Sequence, residues 1–440
     1  MDDKPRDPMT ADPAHLRPDP AVRRPRRFWQ LLGPGLITGA SDDDPSGIAT
    51  YSQVGAQYGY GLAWSLPFSY PLLAAVQEIS ARIGRVTGKG IAGNIRQFYP
   101  ASLLRLIVGL LVVANVINIG ADLAAMADAV KLLIGGPALV YVVAFAVTCV
   151  WLEVFLSYAR YVAILKWTTL SLLAYVATVL AVHVPWGQVA FHTLVPTITW
   201  EQAYIVGFVA VLGTSISPYM FFWQSSEEAE DERVNPDAKP LIESADGAED
   251  ELRRIRIDTY AGMGYSHLIA FFILVTTAST LHVHGITDIG TSAEAAEALR
   301  PIAGPFASAV FALGIVGTGM LAIPVLAGSA AYAVGEARQW PTGLGYKPRE
   351  AKAFYSTIAV ATLLGIGINL LPIDPMKGLF WAAVINGVVS VPLMAVMMAM
   401  SARPAVMGGF TLPRYLRIMG WLATAVMTVA VLAMFWTLIF

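Results

Sequence analysis

The chain has 440 residues, of which 56% are hydrophobic and only 14% charged, and its mean hydropathy is +0.59. Soluble globular domains carry about 25% charged residues, so the composition excludes an ordinary soluble protein and indicates an integral membrane protein. The formal net charge of −2 gives no sign of nucleic-acid binding, and a single cysteine, Cys149, excludes an intramolecular disulfide and a thiolate metal cluster.

Residues 1–28 are polar and rich in proline and arginine, which predicts a cytoplasmic tail rather than a signal peptide. After this tail, apolar stretches of roughly 17–25 residues recur, and this is the length that a helix needs to cross ~30 Å of hydrocarbon. Eleven spans are predicted, centred near 30–55, 60–82, 104–130, 138–156, 161–183, 203–224, 257–281, 304–334, 354–371, 378–400 and 418–439. The sequence therefore predicts an all-α, multi-pass membrane protein.

The basic residues predict the orientation of these spans. Of the 29 lysines and arginines, 26 lie in the tail or in loops that follow even-numbered spans, including Arg160 and Lys166 between spans 4 and 5. The opposite side has only Lys131, Arg300 and Lys377. Because cytoplasmic loops carry the excess of basic residues, we expect a cytoplasmic-membrane protein with its N-terminus in the cytoplasm and its C-terminus outside.

Spans 1 and 6 each contain helix-breaking residues at mid-membrane. Span 1 reads GPGLITGASDDDPSGIATYSQ and span 6 reads VLGTSISPYMFFWQSS, with Pro45 and Pro218 near their centres. Proline has no amide hydrogen with which to continue a helix, and open backbone at this depth is tolerated only around a cavity. Two interrupted helices at matching positions indicate a transporter site between inverted repeats. The predicted units are the tail at 1–28 and a transport domain at 29–440, divided into repeats at 29–183 and 201–401 and a last helix at 417–440.

Carboxylates within the spans are the strongest functional signal. Asp42, Asp43 and Asp44 lie at the first break, and Asp122 lies within span 3; ionisable groups inside a membrane are costly and mark functional sites. An aspartate together with freed backbone carbonyls offers the oxygen ligands that hard cations such as Mg²⁺, Ca²⁺ or Mn²⁺ prefer. Two interpretations of Asp42 and Asp43 stay open: they exchange a proton when a cation arrives, or they line an aqueous vestibule.

These stretches together resemble the Nramp family of proton-coupled divalent-metal transporters. The segment GPGLITGASDDDPSG is similar to the family's first helix, YGYGLAWSLPFSYPLLAAVQEISARIGRVTGKGIA to its second helix and following loop, NIGADLAAMADA to its third-helix motif and GTSISPYMFFWQSS to its sixth helix. The resemblance covers nearly the whole chain, more weakly from span 8 onward. It implies the leucine-transporter fold with eleven or twelve helices, and a divalent cation as substrate without any cofactor. No Walker loop, zinc-hydrolase spacing or nucleophile elbow occurs, so we expect no enzymatic activity.

The resemblance also implies roles for individual residues. The metal ligands would be Asp44, the backbone carbonyl of Thr214, and Ser217, which stands where the family has methionine. The substrate site would also be lined by Asp42, Asp43, Ser46, Gly47, Tyr219 and Asn386, among which Gly47 replaces the family's asparagine ligand and Tyr219 its histidine. Asp122 matches the family's proton-relay aspartate.

The departures from the family pattern bear on the substrate. A methionine thioether favours transition metals, so Ser217 leaves an all-oxygen site, and Gly47 opens space for a retained water. Mg²⁺ keeps several waters when it binds, and a magnesium-transporting branch of the family lacks the methionine. We therefore expect Mg²⁺ or Mn²⁺ rather than Fe²⁺ or Cd²⁺. The family's ninth-helix arginines have no counterpart in 354–371, so we expect weak or absent metal-driven acidification.

A second hypothesis is a Na⁺- or H⁺-coupled transporter of a small organic solute on the same fold. The expected partners are thus a divalent ion, protons or Na⁺, and the lipid bilayer, with no nucleic acid, and the sequence gives no indication of oligomeric state. The loop between spans 6 and 7 contains SSEEAEDER and ESADGAEDELRR, which predict a solvated cytoplasmic face.

Overall fold

The computed structural model describes residues 34–155, 172–234 and 239–439, and in these ranges the backbone forms helices and no strand. In chain order the helices are α1 (Pro34–Asp42), α2 (Pro45–Tyr58), α3 (Ser65–Thr87), α4 (Ile91–Phe98), α5 (Ala101–Ile134), α6 (Ala138–Phe155), α7 (Leu173–Ala181), α8 (Trp186–Leu194), α9 (Gln202–Ser215), α10 (Pro218–Val234), α11 (Ala248–Thr280), α12 (Ser292–Glu297), α13 (Arg300–Ala303), α14 (Ala307–Arg338), α15 (Lys352–Ile368), α16 (Pro375–Ser401), α17 (Pro404–Met407) and α18 (Arg414–Ile439).

The predicted spans correspond to helices wherever the chain is described. Each of the spans other than the fifth contains one or two of these helices, and the fifth ends in α7. The first part of span 5, with Arg160 and Lys166, and the predicted tail at 1–28 lie outside the described residues. By length and apolar composition, seven segments among the described residues are able to cross a membrane, one of them formed by α9 and α10 together. The all-helical membrane architecture is confirmed, and the count of eleven spans stays a prediction.

Both predicted breaks are present. Helix α1 ends at Asp42 and α2 begins at Pro45, while α9 ends at Ser215 and α10 begins at Pro218. In each case proline is the first residue of the second half, the position at which its missing amide hydrogen costs nothing and its fixed φ suits a helix. The prolines therefore end one helix and start the next at the same point of the span.

The two interrupted helix pairs lie at the centre of the molecule. Helix α1 packs against α11, α10 against α3 and α9 against α16, while α5 packs against α14, α15 and α16. Almost all residues of the α9–α10 span are buried, whereas only a minority of the residues in α6 and α18 are buried. Small residues permit close approach: a β-carbon on Gly39 of α1 would overlap the backbone of Gly262 in α11.

Loops that the charge pattern assigns to the same side of the membrane contact one another in the structure. At the predicted inner side, Arg96 donates a hydrogen bond to the Ala337 carbonyl (3.2 Å), and the Arg403 guanidinium lies 4.4 Å from the centre of the Tyr99 ring. At the opposite side, Gln53 at the end of α2 donates to the Thr287 carbonyl (3.2 Å). These contacts agree with the predicted grouping of the loops, and the topology and the assignment of one side to the cytoplasm stay predictions.

The acidic segment between spans 6 and 7 differs from the prediction. Helix α10 continues to Val234, and the Glu228 and Glu232 side chains on it are buried. Glu228 pairs with Arg254 of α11 at 2.5 Å, and Glu232 pairs with Arg85 of α3 at 3.4 Å. The expectation of a solvated face is wrong for these residues, because arginines from two neighbouring helices supply the opposite charge that burial requires.

Candidate functional site

The two breaks release backbone carbonyl groups at the centre of the membrane. In a regular helix the Ser41 carbonyl would accept from residue 45 and the Thr214 carbonyl from residue 218. Both positions are proline, so neither carbonyl has a helical donor. The Tyr219 hydroxyl, from the start of α10, donates to the Ser41 carbonyl at 3.0 Å. One break therefore supplies a donor that satisfies the other.

Ser217 caps the end of α9. Its hydroxyl lies 2.8 Å from the Gly213 carbonyl and 2.9 Å from the Thr214 carbonyl, and it has one proton to share between them. This hydroxyl is therefore directed back toward its own helix. As a ligand, Ser217 offers oxygen lone pairs only, in contrast to the thioether for which it stands in the family pattern.

Asp44 joins three helices at the first break. It is the N-cap of α2, where its Oδ1 accepts from the Gly47 amide at 2.7 Å. Its Oδ2 accepts from the Asn118 side-chain amide of α5 at 3.2 Å and lies 3.4 Å from the Tyr219 hydroxyl of α10, whose one proton is shared with the Ser41 carbonyl. The side chain is 2% exposed. The N-terminus of α2 stabilises its negative charge, and the two neutral donors fix its orientation without neutralising it.

The backbone at Gly47 lies close to three oxygen atoms. A β-carbon added to Gly47 would lie 3.2 Å from the Asp42 carbonyl oxygen, 3.3 Å from Thr214 Oγ1 and 3.6 Å from Asp44 Oδ1. These oxygens come from both broken spans. A carboxylate, a carbonyl and a hydroxyl that converge in this way form the kind of donor set that hard divalent cations select.

The other two aspartates of the triplet are directed elsewhere. The Ser266 hydroxyl of α11 donates to Asp42 Oδ2 and lies 3.2 Å from Asp43 Oδ1. Both aspartates are 2% exposed, so the interpretation that they line an open aqueous vestibule is wrong for this conformation. Their remaining oxygens, Asp42 Oδ1 and Asp43 Oδ2, have no hydrogen-bond partner among the described residues. The Asp42 backbone carbonyl lies near Gly47, whereas the Asp42 side chain contacts α11.

Asp122 lies one helical turn beyond Asn118 on α5. It is fully buried, and neither carboxylate oxygen has a hydrogen-bond partner in the described part of the chain. Residues four apart share one face of a helix, so Asp122 lies on the face of α5 that reaches Asp44 through Asn118. A buried polar group without a partner is costly, and Asp122 has no evident structural role that would offset this cost.

Ser46 contacts α16, and Asn386 belongs to that helix. The Ser46 hydroxyl donates to the Leu379 carbonyl at 3.1 Å, which attaches the start of α2 to α16. Asn386 is buried, with no partner for Oδ1 among the described residues. The adjacent Gly387 allows close packing, since a β-carbon on Gly213 of α9 would lie 2.5 Å from the Gly387 amide nitrogen. Asn386 is thus beside the second break, and Ser46 is directed away from the oxygen atoms beside Gly47.

No group of three His, Cys, Asp or Glu side chains converges as a metal cluster within the described ranges. A cation over Gly47 would therefore meet one carboxylate and neutral oxygens rather than a set of charged ligands. Such a site leaves coordination positions for water, as Mg²⁺ requires.

Sequence reasoning missed two contributors. The Asp42 backbone carbonyl has no signature in the sequence, because every residue carries the same group. Asn118 was overlooked, although an asparagine four residues before an intramembrane aspartate is a recognisable signal, because the two share one helix face.

Comparisons with known proteins identify the family of this chain. A family model described as natural resistance-associated macrophage protein-like (Nramp) matches residues 35–437. The divalent metal cation transporter MntH of Klebsiella pneumoniae is 24% identical over 90% of this chain and 91% of its own length. MntH of Acidiphilium cryptum is 25% identical over 66% of this chain, and the match spans 65% of that protein, just under two thirds.

Solved structures show the same fold. The manganese transporter of Eremococcus coleocola superposes with a TM-score of 0.71 at 17% identity, covering 93% of this chain and 88% of that one. MhsT in complex with L-phenylalanine superposes with a TM-score of 0.61 at 11% identity, covering 92% and 98%. The fold is of the leucine-transporter type.

Proposed function

The chain belongs to the Nramp family, and on this premise we propose that it carries a divalent metal cation across the membrane, with Mg²⁺ or Mn²⁺ preferred. Members of this family are transporters rather than enzymes, and the metal is their substrate rather than a cofactor. The observation that carries the proposal is the convergence of oxygen atoms from both broken spans beside Gly47.

The proposed ligands are Asp44 Oδ1, the Asp42 carbonyl and Thr214 Oγ1, with Ser217 and the Thr214 carbonyl at the edge of the site. A single carboxylate leaves a divalent ion with net positive charge, which retained waters stabilise. An all-oxygen set with retained water suits Mg²⁺ and Mn²⁺ and lacks the soft ligand that favours Cd²⁺.

We further propose that the site is reached alternately from the two sides. A cavity of about 180 Å³ at the predicted outer side is lined by Ala49, Gln53 and Phe380, among others. At the predicted inner side, Arg254 bridges Glu228 (2.5 Å) and Glu251 (3.0 Å). Because Asp44 is only 2% exposed, these features support a state that is closed on both sides, with the outer cavity marking the side from which the site would be reached.

We propose the repeat boundaries and the positions of the two termini from the sequence. The repeats are 29–183 and 201–401, the last helix is 417–440, the N-terminus is cytoplasmic and the C-terminus lies outside. Movement of one repeat against the other around the breaks would open the inner side.

For coupling, we propose that Asp122 relays a proton from Asp44, through the α5 face that carries Asn118. With no basic partner from 354–371, we expect metal transport to produce weak or absent acidification in proteoliposomes that contain a pH-sensitive dye. Replacement of external Na⁺ by choline tests whether Na⁺ is the coupling ion instead of a proton. A robust proton flux that Asp122→Asn abolishes would contradict the expectation of weak coupling.

Calorimetric titration of the purified chain with Mg²⁺, Mn²⁺ and Ca²⁺ tests the binding site. We expect saturable binding by the wild type and its loss in Asp44→Asn, because the carboxylate is the one charged ligand. Asp128→Asn is the matched control, since Asp128 is a partly exposed carboxylate in α5 without any site contact. Equal binding by Asp44→Asn and the wild type would contradict the proposed site.

A further inference from the structure

A second cavity opens at the predicted inner side, where α4, the end of α10 and the end of α14 meet. Its volume is about 460 Å³, and it shares no lining residue with the proposed site beside Gly47. Small-ligand pockets have volumes of roughly 300–1,000 Å³. The cavity is therefore large enough for a small organic anion or a lipid headgroup.

Three cationic side chains line this cavity: Lys89, Arg96 and Arg233. All three are held by neutral acceptors. Lys89 Nζ donates to Gln97 Oε1 at 2.6 Å and Arg96 to the Ala337 carbonyl at 3.2 Å. Arg233 donates to the Thr342 carbonyl at 3.2 Å and to the Ala229 carbonyl at 3.3 Å. A guanidinium has five N–H donors, so most of them remain available. None of the three forms an ion pair with a carboxylate in the described ranges.

The carboxylate that lines the cavity is already engaged. Glu336 Oε1 accepts from the Gly90 amide at 3.1 Å and the Ser226 hydroxyl at 3.0 Å. Its Oε2 accepts from the Gly93 amide at 2.8 Å. Glu336 thus caps the start of α4 and uses both oxygens on neutral donors. The cations face the cavity with an excess of positive charge.

We propose that this cavity binds a phosphate-bearing anion through Lys89, Arg96 and Arg233. Arginine presents a planar fork of donors that matches phosphate oxygens bidentately, and such charge-assisted bonds are the strongest hydrogen bonds in proteins. The phosphate comes either from a soluble phosphorylated metabolite or from an anionic phospholipid, since basic pockets at the cytoplasmic ends of membrane helices bind headgroups. The shared chemistry is the phosphate group.

Occupancy of this cavity would influence the transport cycle. Arg96 belongs to α4, and Arg233 belongs to the second half of the broken α9–α10 pair. A ligand held by both stabilises the conformation in which these helices are together. The ligand is therefore expected to favour the state that is closed at the predicted inner side.

The test uses the purified full chain in a neutral detergent and two probes, inorganic pyrophosphate and phosphatidylglycerol. Pyrophosphate binding is followed by calorimetry, and retained phosphatidylglycerol is counted by native mass spectrometry against phosphatidylcholine. The variants are Arg96→Gln, Arg233→Gln and their combination. Arg349→Gln is the control, because it removes an exposed cation of the loop after α14 that does not line the cavity.

We expect at least one probe to bind the wild type and Arg349→Gln, with at least about tenfold weaker binding in the combined variant, the loss of 1.4 kcal/mol or more. Weakened pyrophosphate binding supports the site with a soluble source, and selective loss of phosphatidylglycerol supports it with a lipid source. If neither probe binds the wild type, or if the combined variant binds both equally well, the proposal is overturned. If the combined variant does not fold, the binding of both probes is measured on the two single variants instead. Because the readout is binding of an anion, its failure is distinguishable from failure of metal transport.

Discussion

The substitution Gly47→Ala tests the geometry of the proposed site with the smallest available change. It keeps the amide that donates to Asp44 at 2.7 Å and adds one methyl group. That group would lie 3.2 Å from the Asp42 carbonyl oxygen, 3.3 Å from Thr214 Oγ1 and 3.6 Å from Asp44 Oδ1. A cation bound over Gly47 needs these oxygens at about 2.0–2.6 Å, so the cation or its retained water competes with the methyl group for the same space.

The expected loss of metal affinity is about 10–100-fold, the size that follows from disturbing groups next to a metal ligand, or about 1.4–2.7 kcal/mol. The stability of the protein should change far less. Alanine favours a helix over glycine by up to about 1 kcal/mol, and the two tight contacts offset part of this gain. Binding should therefore weaken while the melting temperature stays close to that of the wild type.

The assay is calorimetric titration of Mg²⁺ and Mn²⁺ into the purified variant, with thermal unfolding measured on the same sample. Gly109→Ala is the matched control, because Gly109 is also helical and a β-carbon there meets nothing within 4 Å. Unchanged metal affinity in Gly47→Ala would refute the placement of the cation over this residue.

Three further predictions concern the residues around the site. Tyr219→Phe removes the donor to Asp44 and should weaken Mg²⁺ binding about tenfold, whereas unchanged binding would show that the 3.4 Å contact does not orient the carboxylate. Ser217→Met supplies a soft ligand and should raise uptake of Cd²⁺ relative to Mg²⁺; an unchanged ratio would place Ser217 outside the site. Arg254→Gln leaves the buried Glu228 without its 2.5 Å partner and should destabilise the closed inner side by about 3–5 kcal/mol. This loss would be detected as faster hydrogen–deuterium exchange in α10, and unaltered exchange would contradict the prediction.

The breaks in spans 1 and 6 were predictable from sequence because their cause is local. Pro45 and Pro218 remove a donor whatever surrounds them, and apolar length alone indicates a membrane helix. The general architecture followed from these two rules. The sequence does not predict which of the side chains faces the substrate, because three consecutive aspartates look equivalent in a sequence.

The structure distinguishes these aspartates by tertiary contacts. Asp44 is the residue directly before Pro45, so it caps α2 and meets α5 and α10, whereas Asp42 and Asp43 share Ser266 of α11. That serine is more than 200 positions away in the chain, and no local pattern links it to the break.

The acidic run after span 6 shows the same limit. Its composition is typical of a solvated segment, yet Glu228 and Glu232 are buried because Arg254 and Arg85 lie against them. The pairing depends on how α3, α10 and α11 pack, and this information is not contained in the acidic segment itself.

The central claim is that the chain moves a divalent cation through the site that Asp44 forms between the two breaks. Uptake of Mg²⁺ and Mn²⁺ into proteoliposomes containing the wild type or Asp44→Ala tests it most directly. We predict saturable uptake of at least one of these ions by the wild type and none above the lipid background by Asp44→Ala. The absence of any divalent flux by the wild type up to millimolar concentration, or equal flux through Asp44→Ala, would contradict the claim.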